Sequence, residues 1–156
     1  DIRFVFVGDG KEKAALQSKA EQKGLENVLF VPSQPKNRMS AVLAAADACI
    51  AILKPLEMYK TTYPNKVFDY MAAGRPVVLA IDGVIRQVVE QAGAGVAVPP
   101  GDAQALADAV AFLADNPQKA REMGAAGRLA VERSFNRWQQ AAQMGAIMEE
   151  MVAKGR

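Results

Sequence analysis

Short runs dominated by Val, Ile and Phe alternate with longer segments whose apolar residues recur at helical spacing. The runs cover residues 2–7, 27–31, 48–53, 76–80 and 95–98, each nearly continuous in apolar residues. That pattern predicts strands buried on both faces rather than strands with one wet side. Between them, residues 11–23, 36–46, 65–73 and 84–92 carry apolar positions at the spacing of a helix face. Residues 102–114, 117–133 and 136–153 follow as helices alone, the first opened by Asp102 as an N-cap after Pro99-Pro100-Gly101. Strands alternating with helices call for an α/β fold, with a parallel sheet, right-handed crossovers and helices on both faces, here followed by helices only. In such sheets ligands bind beyond the carboxyl ends of the strands, so chemistry is expected in the loop after each strand.

The first such loop is Gly8-Asp9-Gly10-Lys11. Two glycines allow a sharp turn and a close backbone approach to a ligand, and the helix that follows begins with free amides suited to a phosphate. The same residues also read simply as a tight turn, because Lys13 stands where the dinucleotide fingerprint Gly-x-Gly-x-x-Gly needs its third glycine. After the third strand comes a longer polar connection, Lys54-Pro55-Leu56-Glu57-Met58-Tyr59-Lys60-Thr61-Thr62-Tyr63-Pro64. It leads to a helix with Asn65 as the expected N-cap and Gly74 as the stop, and Pro76 opens the next strand. The first amides of that helix, with Lys54, Lys60 and Lys66 nearby, predict an anion site. Asp69 lies a turn further on in an otherwise apolar pattern. A carboxylate there is costly unless a partner such as a ligand hydroxyl pair satisfies it, or unless the residue is solvated.

Composition narrows the chemistry. The 156 residues include 19 Lys plus Arg, 17 Asp plus Glu and no His, for a formal charge of +2. With 51% hydrophobic residues the chain can bury a core, which excludes disorder and fibrous repeats. Without His, no imidazole base, His metal ligand or Ser/His/Asp triad can be completed from this chain alone. The one cysteine, Cys49, lies in an apolar run and reads as a small core residue; a single Cys offers no disulfide framework and fits a reducing compartment. Charge is too evenly spread to argue for nucleic acid, no Asp-x-Asp or Cys/His cluster argues for a metal, and no apolar stretch reaches the roughly 20 residues of a membrane span. Trp138 is expected to anchor its helix, and Met123, Met144, Met148 and Met151 to be packing residues.

The segment Tyr63-Pro64-Asn65-Lys66-Val67-Phe68-Asp69-Tyr70-Met71-Ala72-Ala73-Gly74-Arg75-Pro76-Val77-Val78 resembles the donor-binding signature of family 4 retaining glycosyltransferases, in particular the branch that builds bacterial surface polysaccharides. The segments Phe6-Val7-Gly8-Asp9-Gly10, Leu25 to Phe30, Ala45-Ala46-Asp47-Ala48, Gly93-Ala94-Gly95, Gly101-Asp102, Asp115-Asn116-Pro117, Met123-Gly124 and Glu132-Arg133-Ser134-Phe135 resemble the family's C-terminal Rossmann-like domain in the same order. The resemblance covers essentially the whole chain.

It implies the C-terminal, donor-binding domain of a GT-B architecture, in which two Rossmann-like domains face a cleft. It also implies that residues 1–156 form one partial domain, preceded in a longer protein by an acceptor domain and by a first strand-helix unit with a basic pair for the diphosphate. A start inside a strand pattern at Asp1-Ile2-Arg3 fits that expectation. By resemblance Asp69 takes the place of the second Glu of a paired-carboxylate motif that hydrogen-bonds the ribose hydroxyls, and Thr61 stands where the first Glu is expected. Tyr63, Pro64, Asn65 and Lys66 lie by resemblance against the donor sugar and diphosphate, Gly8 and Gly10 beside the nucleoside, and Val31-Pro32-Ser33 along the base. No catalytic residue is assigned with certainty. The donor expected is a nucleotide sugar, UDP-linked first, with no metal or other cofactor, because helix amides and lysines take the place of a metal at the leaving diphosphate. The acceptor, a glycan or lipid-linked sugar, belongs to the other domain, and the expected location is cytoplasmic, peripheral at the inner membrane face in the full-length protein. The chain alone is expected to lack transferase activity. A nucleotide-sugar epimerase of the same architecture and a non-catalytic nucleotide-binding or interaction module stay open as alternatives.

Overall fold

The structure, a computed structural model, describes residues 1–154. The chain divides into two compact units, Asp1–Val42 and Leu43–Arg156. In the first, β1 (Phe4–Val7) and β2 (Val28–Val31) pair in parallel, Phe4 opposite Val28 and Val7 opposite Val31, and are connected through α1 (Lys13–Gln22). Phe6 and Phe30 stack across the ladder with centroids 5.3 Å apart. These strands are not covered on both faces, as their apolar runs predict: Val5 is 54% and Phe6 49% exposed, and α1 buries no residue. Each strand has one ladder neighbour, and a two-stranded sheet with one connecting helix cannot enclose both faces. A short 3-10 turn, Lys36–Arg38, leads into α2 (Met39–Ala44), which runs across the division between the units.

The second unit holds β3 (Cys49–Ile52), β4 (Val77–Ala80) and β5 (Gly95–Ala97), all parallel with β4 in the middle. The alternation along the sequence thus yields parallel sheets, but two of them, β1-β2 and β3-β4-β5. Local pattern identifies a strand, whereas the partners of its edges are set by contacts far away in sequence. Every residue of β4 is buried. Val77, Leu79 and Ile81 join Val67 and Met71 of α3 (Asn65–Ala72) and Ile85 and Val89 of α4 (Val84–Gln91) in one core cluster. Val78 and Ala80 join Ala109 and Leu113 of α5 (Ala103–Asp115) in another. Here an unbroken apolar run does mean two covered faces. Cys49 is buried at the start of β3, and desolvation pushes its thiol up to about 11, so it is the inert core residue expected.

Helix ends follow local chemistry, with one correction. Asp102 caps α5, its carboxylate accepting from the Ala105 N–H at 2.9 Å. Asn65 is not the cap of α3. Pro64 holds that place, at φ −67° and ψ 119°, and Asn65 is the first helical residue with no side-chain cap. A proline ring already fixes φ near the value the position uses, so the helix starts without a side-chain acceptor. Gly74 ends α3 at φ +68°, where its N–H donates to Met71 O and that of Arg75 to Tyr70 O, the paired bonds of a Schellman turn.

Two further helices complete the unit, α6 (Pro117–Ser134) and α7 (Arg137–Lys154). α6 touches both clusters, through Ala120 and Met123 on one side and Ala130 and Val131 on the other. It comes so close to the end of α3 that a Cβ at Gly124 would overlap the Gly74 carbonyl oxygen, while one at Gly127 would stand 3.0 Å from the Ala94 Cβ. Glycine is required there by main-chain proximity. α7 buries nothing: Trp138 is 86% exposed, and Met144, Met148 and Met151 are exposed as well, so these four do not anchor or pack as expected, whereas Met123 does. Their helical spacing is real, but spacing alone does not supply a neighbouring surface.

A substitution pair tests the α3–α6 contact. Gly124→Ala should lower unfolding free energy by about 1–3 kcal/mol, as overpacking does. Gly145→Ala, on α7 where nothing lies within 4 Å of the added carbon, should be neutral or stabilising by up to about 1 kcal/mol through helix propensity. Equal effects in urea titrations of the two variants would count against the contact.

Candidate functional site

In the first unit the loop after β1 is tied down by one carboxylate. Asp9 Oδ1 accepts from Lys13 Nζ at 2.6 Å and Oδ2 from the Ser33 N–H at 2.6 Å, so the loop after β1 and the exit of β2 are held side by side. Lys13, which breaks the dinucleotide fingerprint, therefore serves the loop in another way. Gly8 extends the ladder by donating to Val31 O at 3.0 Å, and the Gly10 carbonyl accepts from Lys13 N–H at 2.9 Å. No atom lies within 4 Å of where a Cβ would stand at Gly8 or Gly10. Pro32, next to Ser33 in sequence, is exposed, its carbonyl accepting from Gln34 Nε2 at 3.0 Å.

In the second unit the carboxyl ends of β3, β4 and β5 surround a cleft of about 190 Å³. One wall is the connection after β3, contributing Lys54, Pro55, Leu56, Glu57, Tyr59 and Lys60; the others are Ile81 and Asp82 after β4 and Pro100 after β5. This is where a parallel sheet is expected to offer a site. Three of its four charged residues are matched by neighbours. Lys60 Nζ lies 2.7 Å from Glu57 Oε1, a hydrogen bond that raises the lysine's pKa, and Arg86 spans Asp82 at 2.9 Å and Glu90 at 2.8 Å. Lys54 makes no ion pair among the described residues.

The residues singled out at the start of α3 lie just beyond this cleft in sequence and do not line it. Thr61 ends the 3-10 segment Glu57–Thr61, its hydroxyl near Met58 O at 3.4 Å. Tyr63 is 55% exposed, its ring tilted over Phe68 with centroids 6.4 Å apart. Pro64 caps the helix, and Asn65, Lys66 and Asp69 are exposed. Asp69 thus sits in solvent, and the desolvation cost expected of a carboxylate in an apolar pattern does not arise. α3 buries Val67 and Met71, which leaves position 69 on its other side. Asp82 and Pro100 were not expected at the cleft. The signal for Asp82 was akin to the one used for Gly8, an apolar strand followed by a turn containing Asp-Gly. Among the described residues no group of three or more His, Cys, Asp or Glu is placed to hold a metal ion, and no helix is long and apolar enough to cross a membrane.

Parallel strands, helices on both sides and a cleft at the strands' carboxyl ends define the Rossmann-like fold of GT-B glycosyltransferases. Residues 1–116 match the family model described as glycosyl transferases group 1, and the chain belongs to that family. It is 31% identical over 134 residues to a phosphatidyl-myo-inositol mannosyltransferase of Mycobacterium leprae, covering 85% of this chain and 34% of that protein. It is 27% identical over 153 residues to the amylovoran biosynthesis glycosyltransferase AmsK of Erwinia amylovora, covering 97% and 38%. The chain therefore spans roughly a third of the length of these relatives. Among solved structures, sucrose-phosphate synthase of Thermosynechococcus elongatus superposes with a TM-score of 0.81 at 28% identity, covering 96% of this chain and 38% of that one. HepE of Anabaena, solved in complex with UDP, shares the fold with a TM-score of 0.77 at 22% identity, covering 96% and 41%.

The Asp9 bridge has a pH signature. The Lys13 hydrogen bond and then the Ser33 N–H lower its pKa from 3.8 to about 2. A depressed carboxyl contributes stability above its unfolded pKa and loses it as pH falls through the folded one. The melting-temperature gap between the unsubstituted chain and Asp9→Asn should therefore be constant above pH 5 and close between about pH 4 and pH 2. A gap that stays the same down to pH 2 would rule the bridge out.

Proposed function

We propose that the chain binds the nucleoside diphosphate of a nucleotide-sugar donor, and that it serves a retaining glycosyl transfer in the biosynthesis of a bacterial surface polysaccharide such as lipopolysaccharide, O-antigen or capsule. The observation that carries the reading is the match of residues 1–116 to the glycosyl transferases group 1 model, together with a cleft at the carboxyl ends of the strands. In this reading the second unit supplies the diphosphate and sugar contacts. The start of α3, with Tyr63, Pro64, Asn65 and Lys66, offers backbone amides and a cation to the leaving diphosphate, and Thr61 stands beside the sugar. Asp69, exposed and with no side-chain partner among the described residues, accepts from the ribose hydroxyls. By resemblance to the family, Gly8, Gly10 and Pro32 are assigned to the nucleoside. No metal is assigned to the site.

The chemistry rests on charge. Departure of a nucleoside diphosphate leaves growing negative charge on its terminal phosphate and cationic character at the sugar carbon. Helix amides and lysines near that phosphate stabilise the transition state more than the ground state. The acceptor, a glycan or lipid-linked sugar, is assigned to a further domain of a longer protein acting at the cytoplasmic face of the inner membrane.

UDP is the first nucleotide to test, since HepE of Anabaena, which shares the fold, is solved in complex with UDP. In thermal-shift titrations with UDP, GDP and ADP, UDP alone should raise the melting temperature. Asp69→Ala should weaken UDP about 10- to 100-fold, the worth of a hydrogen bond to a charged acceptor. It should leave the ligand-free melting temperature unchanged, because Asp69 is exposed. No response to any of the three nucleotides would favour an interaction module instead. Incubated with a nucleotide sugar and acceptor, the chain by itself is expected to give no transfer, and robust turnover would contradict that.

A further inference from the structure

Gly83 follows Ile81-Asp82 at the carboxyl end of β4 and caps α4 at φ +90° and ψ −146°. Side-chain-bearing L residues rarely adopt that conformation. The position is also crowded: a Cβ there would overlap the carbonyl oxygen and Cα of Lys60. The main chain of the β4–α4 turn thus lies directly on the main chain of the 3-10 segment Glu57–Thr61. Two backbones in contact cannot relieve pressure by changing rotamer, as a side chain could. The same two stretches form facing walls of the cleft, Glu57, Tyr59 and Lys60 on one and Ile81 and Asp82 on the other. Each wall also carries an exposed ion pair that orients its side chains, Lys60 with Glu57 and Asp82 with Arg86. Walls whose main chains touch have their separation set at that contact.

We propose that Gly83 is a positioning residue for donor binding: its backbone contact with Lys60 sets the width of the cleft at the carboxyl ends of β3 and β4, and so the placement of the connection that leads to α3. The inference rests on the donor site described under Proposed function. Any side chain at 83 pushes the 3-10 segment outward and carries Tyr59 and Lys60 with it.

Gly101 provides the control, with φ +88° in the turn before α5 and nothing within 4 Å of its Cβ position. Gly83→Ala and Gly101→Ala therefore add similar backbone strain, but only the first adds an atom against Lys60. Two readouts apply to the whole chain: UDP affinity by calorimetry, and hydrogen exchange at Tyr59 and Thr62, whose N–H groups donate to Leu56 O and Tyr59 O at 2.9 and 3.2 Å. Gly83→Ala should speed exchange at both amides and weaken UDP about 10-fold or more, as a displaced positioning element does. Gly101→Ala should leave both readouts within about twofold. Unchanged affinity in folded Gly83→Ala, or equal losses in the two variants, would overturn the proposal. Should Gly83→Ala not fold, the unsubstituted chain decides: saturating UDP should slow exchange at Tyr59, Thr62 and Gly83 together, and binding without that protection overturns it. Faster exchange in Gly83→Ala alongside no nucleotide binding by the unsubstituted chain would instead sink the donor-site reading and leave the backbone contact intact.

Discussion

Every side chain of Val77–Ala80 is buried, Val77 and Leu79 against α3 and α4, Val78 and Ala80 against α5. A strand enclosed on both faces and paired on both edges has no freedom to slide, because a one-residue slip would exchange its two faces and leave both clusters mispacked. The rest of the second unit takes its position from it. β3 and β5 are in register with it, the helices are laid on its two faces, and its carboxyl end delivers Ile81 and Asp82 to the cleft. The function proposed for the chain depends on that chain of placement, since binding groups on turns are only as well located as the strands that end in them.

The close approach of α6 to the end of α3 extends the same logic. Gly124 and Gly127 remove the side chains that would hold the elements apart, so α6 is set against Met71 and Gly74 at the end of α3 and against Ala94 just before β5. Main-chain contacts recur at Gly83 against Lys60. In both places a missing Cβ sets a distance between elements rather than a flexible joint. The ion pairs around the cleft are solvent-exposed and individually weak. Their part is to orient side chains, while the backbone contacts fix the walls.

The elements themselves were legible in the sequence because their causes are local. Strand runs, helix periodicity, the Asp102 cap, the Gly74 stop and the buried character of Cys49 all follow from residues within a few positions of one another. Asn65 shows the limit of that reading: an Asn before a helix is a good cap, but Pro64 already had the backbone geometry to start it. Asp69 shows another. Its apolar neighbours in sequence suggested burial, yet Val67 and Met71 face the core from the opposite side of the helix. Of the cleft, the connection after β3 was expected to bind, whereas Asp82 and Pro100 depended on how three strand ends converge.

The sequence by itself determined which segments become strands and helices, that the strands run parallel, and that binding groups lie in the loops after them, since these follow from hydrophobic period and from the crossover each helix imposes. It also determined the family, through motifs in order along the whole chain. Only the tertiary structure decided that β1 and β2 form one sheet and β3, β4 and β5 another, that the apolar residues of β1 are half-exposed while those of β4 are enclosed, and that Gly83 and Gly124 stand against distant backbone. These are outcomes of which surfaces meet. A hydrophobic residue specifies that it can be buried, and the element that arrives to bury it is chosen by contacts remote in sequence.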